Sequence, residues 1–150
     1  MNEKWMSWGC VAFAMIHVWE EYHFGWLAWA QTFVAGVTLA QFVWINALFI
    51  ALCVLAAVGR SVTLKLSIAS LILFNLCVHL FPTLYFGRYS PGLYSALLLY
   101  FPAGLWMYQR AWRSQSASRR QIALSWLLGA GWMMFPFLFQ GIRLFYIRRR

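Results

Sequence analysis

Phe42-Val43-Trp44-Ile45-Asn46-Ala47-Leu48-Phe49-Ile50-Ala51-Leu52-Cys53-Val54-Leu55-Ala56-Ala57-Val58 is an uncharged apolar run that ends just before Arg60. It shows no alternation of period two, and it is close to the ~20 residues that cross the hydrocarbon of a bilayer. In lipid every backbone N–H and C=O has to be paired within its own segment, so such a run predicts a helix. Four more runs of this kind flank it: Trp5–Trp19, Leu66–Phe81, Leu93–Tyr108 and Ile122–Phe139. Each is somewhat short, but flanking Trp, Tyr and Arg can complete a crossing. The pattern predicts an all-α, polytopic transmembrane bundle of four or five spans. Phe24–Gly36 is less apolar and is expected to lie along the interface or to re-enter. Pro102 and Pro136 fall inside predicted spans and should kink them.

Composition agrees. Hydrophobic residues are 63% of the 150-residue chain and charged residues only 10%, against ~45–50% and ~25% in soluble domains. Mean hydropathy is +0.66. With no linker, repeat or low-complexity tract, residues 1–150 read as a single integral membrane domain. The net charge of +9 comes from Lys and Arg that punctuate the apolar runs. That placement fits anionic lipid headgroups better than a nucleic-acid groove, so nucleic acid is not an expected partner. Lys4, an apolar stretch and Ala28-Trp29-Ala30 imitate a signal peptide. The intervening segment is too long and too charged for a cleavage region, so cleavage is not expected.

Alternation of the spans sorts the charges. Lys4, Arg60, Lys65, Arg110, Arg113, Arg119 and Arg120 collect on one side, and only Arg88 precedes the tail on the other. The positive-inside rule makes the basic side cytoplasmic and places the opposite side on the outer face of a plasma (inner) membrane. A fifth crossing would carry Arg143 and Arg148–Arg150 outward against that rule, so the last segment either stops short or is translocated in spite of it.

The acids point to a site. The chain has three carboxylates and no Asp: Glu3, and the adjacent Glu20 and Glu21 of His17-Val18-Trp19-Glu20-Glu21. A charge deep in a bilayer costs from about 2.5 to above 10 kcal/mol, so intramembrane ionisable groups are functional candidates. Positions i, i+3 and i+4 share a helical face, which lets His17, Glu20 and Glu21 point into one cavity. His23 joins them only if the helix ends first. Alternation brings His79 to the same membrane side, with Asn75 one turn before it. This set of imidazoles, carboxylates and an amide resembles, in reverse order, the Glu-x-x-His pairs of bundle metal sites. Mixed N/O ligands suit Zn, Fe or Mn.

These elements identify a resemblance. The chain is similar to the HxxEE-motif family of integral membrane proteins, which is marked by His-x-x-Glu-Glu, a second histidine and Tyr-x-Pro-Gly. Here these are His17-Val18-Trp19-Glu20-Glu21, His79 and Tyr89-Ser90-Pro91-Gly92. The resemblance covers about residues 5–105 and leaves the basic loop and last segment, 106–150, outside. It implies a shared site without implying a substrate.

Each element also has a plainer reading. Glu20 and Glu21 can pair with Arg88 or Arg143 at the interface, and either histidine can be a hydrogen-bonded helix contact. Tyr89-Ser90-Pro91-Gly92 can simply start a helix, with Pro in the first turn and Gly easing the entry. Arg88 either holds an anionic head or snorkels. Cys10, Cys53 and Cys77 show no paired spacing and read as small core residues.

Three functions fit. The first is a membrane enzyme in which His17, Glu20, Glu21 and His79 are catalytic or hold a divalent metal. Arg88, Tyr89 and Asn75 would then contact a hydrophobic or amphipathic substrate drawn from the membrane lipids, in hydrolysis or isomerisation. The second is a structural or accessory subunit. The third is a proton or ion pathway, disfavoured because no acid appears in the last three runs.

Overall fold

A computed structural model describes residues 3–34 and 36–148, with side chains described for 5–34 and 36–141. The described residues are helical, with no strand among them. In order they form α1 (Glu3–His23), α2 (Trp26–Gln31), α3 (Leu39–Val58), α4 (Val62–Phe86), α5 (Leu93–Ser95), a π-turn (Ala96–Tyr100), α6 (Phe101–Arg113) and α7 (Arg119–Arg148).

Polar side chains set several of the starts. Thr38 and Gln41 form a reciprocal capping box at α3, Ser118 and Gln121 do the same at α7, and the Ser61 side chain accepts from Leu64 N–H at α4. Each satisfies N–H groups that a helix start leaves unpaired. Pro102 lies one residue beyond the end of the π-turn. It has no N–H to donate, and its ring would press on the carbonyl four residues back in a regular helix. The wider turn, closed by Phe101 N–H on Ala96 C=O, accommodates it. Helix α4 runs on through Pro82 to Phe86, one turn past the apolar run that marks it in the sequence.

Three helices are long and apolar enough to cross a membrane: Leu39–Val58, Val62–Phe86 and Arg119–Gly141. This is fewer than the four or five expected. Helix α1 is long enough but is diluted by Glu3, Lys4, Ser7, His17, Glu20 and Glu21, and Leu93–Arg113 is divided by the π-turn. The chain nevertheless presents a surface suited to lipid: Trp44 is 76% exposed and Leu127 71%, far from isolated apolar residues on a water-facing protein. Segment 24–36 contains the short helix α2, tied down by Trp26 against Phe42 and Phe33 against Phe86.

Helix α4 is the centre. It packs against α3, the α5–α6 rod and α7, while α1 lies on α3. Small residues let it come close. A Cβ on Gly129 would overlap Ser70 Oγ, and one on Gly104 would sit 2.7 Å from Leu73. At the first crossing Ser70 Oγ donates to Ser125 C=O at 2.7 Å. Small residues with interhelical hydrogen bonds are the means by which helices associate where lipid removes the hydrophobic drive. The bundle has two polar ends. Ser7, Lys65 and Arg110 line one cavity at one end, and His17, Glu21 and His79 meet at the other.

Candidate functional site

Helix α1 continues unbroken to His23, so its i, i+3, i+4 face is intact through the motif. His17, Glu20 and Glu21 are 1%, 5% and 5% exposed, and His79 of α4 is 1% exposed. Nε2 of His17 lies 3.6 Å from Glu21 Oε1, and Nε2 of His79 lies 3.4 Å from the same oxygen. The two rings meet edge to face with centroids 5.1 Å apart. Among the described residues this trio is a group of buried donor atoms able to hold a metal, all within 4.8 Å of one another. Ligands about 2.05 Å from a tetrahedral ion are separated by about 3.3 Å, close to the two measured gaps. The 3.6 Å gap is too long for a hydrogen bond, and His17 Nε2 has no hydrogen-bond partner.

The outer nitrogens explain why the inner ones face inward. His17 Nδ1 is 2.9 Å from Ser95 Oγ, and His79 Nδ1 is 2.9 Å from Ser90 Oγ. Ser95 Oγ also donates to Gly92 C=O. A hydroxyl has one proton; when Ser95 gives it to Gly92, His17 Nδ1–H is the donor to Ser95 and Nε2 keeps a free lone pair. Partners of this kind orient metal-binding histidines. Thr83 adds a brace, donating to His79 C=O and accepting from Ser90 N–H.

Glu20 is placed differently from Glu21. Its Oε1 accepts from Tyr89 Oη, Gly92 N–H and Tyr94 N–H, and its Oε2 from Ser95 N–H at 2.7 Å. These amides open α5, so Glu20 caps from α1 a helix that has no cap of its own and lies at the positive end of that helix. Burial, together with the Glu20 carboxylate, pushes the Tyr89 phenol above its ordinary range, keeping it a donor at neutral pH.

Gly92 closes the site. It adopts φ +102°, and a Cβ there would lie 2.8 Å from Cε1 of both His17 and His79 and 3.0 Å from Glu21 Cγ. Only glycine satisfies both the backbone angle and the contact. Beside the cluster, Tyr100 is fully buried, packs its ring 4.7 Å from that of His17, and has an unpartnered hydroxyl.

The structure thus brings together His17, Glu21 and His79, with Glu20 and Tyr89 bonded to the turn above them. Asn75 lies one turn earlier on α4, its Oδ1 buried and unpartnered, and no described hydrogen bond joins it to the cluster. Arg88 is exposed. The ion pairs described for Glu21 are with the histidines, and Glu20 is held by Tyr89 and backbone amides, so neither acid is paired with Arg88; the Arg143 side chain lies outside the described residues. His23 is exposed and stacks on Trp19. Sequence reasoning missed Ser90, Ser95, Thr83 and Tyr100, and took Gly92 only as a helix entry. Gly92 was legible within the Tyr-x-Pro-Gly element, whereas Ser90 holds its variable position and Tyr100 looked like any other aromatic of an apolar run.

Residues 8–107 match the model of a protein family described as a protein of unknown function with HXXEE motif. No curated protein and no solved structure matches the chain.

Proposed function

We propose that this chain, which belongs to the HXXEE-motif family, is a membrane-embedded, metal-dependent enzyme acting on a hydrophobic or amphipathic lipid-like substrate. One observation carries the reading: two imidazole nitrogens lie 3.6 and 3.4 Å from one carboxylate oxygen, all buried, with His17 Nε2 lacking a hydrogen bond. Leaving such a nitrogen unsatisfied in a low-dielectric interior costs about 1–3 kcal/mol, which an ion would remove. Three protein ligands leave a fourth position for water or substrate, as in catalytic rather than structural zinc sites. A bound Zn, Fe or Mn would supply Lewis acidity there. Ser90 and Ser95 fix the orientation of the two imidazoles through their Nδ1 atoms, and Glu20 fixes the turn that carries both serines. The buried Tyr100 hydroxyl, which lacks a hydrogen-bond partner, would be free to donate to a reacting oxygen. Arg88 and Tyr89 stand at the membrane-side rim, where a polar head would rest. Hydrolysis of a head-group bond fits this set best, and isomerisation by Glu21 and a histidine is the metal-free form of the same site.

The proposed topology is a bundle of four or five crossings, with α1 and the Leu93–Arg113 rod counted beside the three apolar helices. At ~1.5 Å per residue, each of these 21-residue stretches spans about 31 Å, enough for the hydrocarbon. The basic end then faces the cytoplasm and the site faces outward.

A second reading has its own observation. Gly92 lies directly over the trio, and a closed cluster suits a metal-free polar staple in a structural or accessory subunit. Metal analysis of purified protein separates the two. The enzyme reading expects close to one Zn, Fe or Mn per chain, lost in His79→Ala, with Glu21→Gln nearly unchanged in expression and melting temperature. Wild type free of metal, together with Glu21→Gln and His79→Ala proteins that vanish from the membrane, would establish the staple instead.

A further inference from the structure

A cavity of about 30 Å³ lies at the end of the bundle away from the His/Glu cluster, between the starts of α1 and α4 and the end of α6. Lys65, Arg110 and the Ser7 hydroxyl are in its wall, above Leu66 and Met107. Ser7 is only 4% exposed. Lys65 is half-buried, and no described hydrogen bond or ion pair meets its ammonium. A cation drawn partly out of water is unfavourable unless an anion comes with it.

The chain has little anion to offer. Against twelve Lys and Arg it has three Glu, and Glu20 and Glu21 are committed at the opposite end. Glu3 alone is left for an end that gathers Lys65, Arg110, Arg113, Arg119 and Arg120. Lys65 meets none of these acids among the described residues, so its counter-charge has to come from outside the protein, and at a membrane surface the abundant source is lipid phosphate. Basic pockets between transmembrane helices take such headgroups. Size agrees: one water needs roughly 10–15 Å³ by this measure, so the cavity has room for about two. That admits phosphoryl oxygens and leaves the remainder of a headgroup outside.

We propose that this cavity binds the phosphoryl group of an anionic phospholipid. Lys65 and Arg110 meet the phosphate charge, Ser7 donates to one of its oxygens, and the glycerol end lies along Leu66 and Met107. The site is independent of whatever occurs at His17, Glu21 and His79.

The test is native mass spectrometry of full-length protein released from nanodiscs of phosphatidylcholine mixed with phosphatidylglycerol. Wild type should retain phosphatidylglycerol selectively. Lys65→Gln and Arg110→Gln should each lower that retention about fivefold, while Lys65→Arg should keep it. The double variant Arg119→Gln/Arg120→Gln removes two charges from the same end outside the cavity and should change little. Equal loss in that control would show diffuse surface attraction and overturn the site, as would equal retention of both lipids by wild type. Displacement of phosphatidylglycerol by millimolar inorganic phosphate would assign the cavity to a free anion and overturn the lipid.

Discussion

Adjacent glutamates at Glu20 and Glu21 are separated in role by about 100° of helix rotation. Glu21 turns between two imidazoles, while Glu20 turns toward the amides of Gly92, Tyr94 and Ser95. Only Glu21 keeps an oxygen facing groups that can share a cation with it. Gly92 is the residue on which this division depends, since its backbone donates to Glu20 and its missing Cβ leaves room for His17, His79 and Glu21. Gly92→Ala should therefore weaken metal retention at least about tenfold. It combines a left-handed backbone angle, costing about 1–2 kcal/mol for a residue with a Cβ, with contacts under 3.0 Å. Chelator competition on the purified variant would measure this. Unchanged retention would mean that the three side chains do not hold the ion together.

Two elements fix the geometry at the next scale. The π-turn absorbs Pro102 within an otherwise continuous rod, so the residues before and after it can both face α4. Helices α4 and α7 meet where Gly129 lies against Ser70, and the crossing is latched by Ser70 on Ser125 and by Tyr108 on both Leu66 C=O and Ser125 Oγ. Gly129→Val should push the helices apart and cost about 1–3 kcal/mol from overpacking, together with the latch, worth about 0.6 kcal/mol in a membrane. A lowered melting temperature in detergent would register it. Because α7 lies outside the matched residues 8–107 and no described hydrogen bond or ion pair joins it to the His/Glu trio, metal content should survive. Loss of metal in this variant would show that α7 supports the site.

For the whole molecule, the two polar ends carry the argument about orientation. Single cysteines at Ser61 and Ser116, in a Cys77→Ser background, should be labelled from one membrane face by an impermeant maleimide, and Arg88→Cys from the other. Labelling of Ser61→Cys and Ser116→Cys from opposite faces would end the proposed topology, since α4 to α6 would then not form a there-and-back pair. The outcome at Arg88 tests whether the His/Glu end faces outward.

The sequence by itself determined the helical class, the two polar ends and the meeting of His17 and Glu21 with His79. Lipid leaves helices as the economical backbone, i to i+4 spacing sets a face, and alternation of apolar runs sets an end. It overstated the number of plainly apolar spans, because the residues that build the site lower the hydropathy of α1. Tertiary structure alone decided which glutamate caps and which faces the histidines, that Ser90 and Ser95 orient the rings, and that Tyr100 is buried beside His17. Those assignments depend on how α1, α4 and the turn at Tyr89–Ser95 approach one another. Such contacts join residues up to 78 positions apart, and nothing in the local pattern around Ser95 or Tyr100 records them.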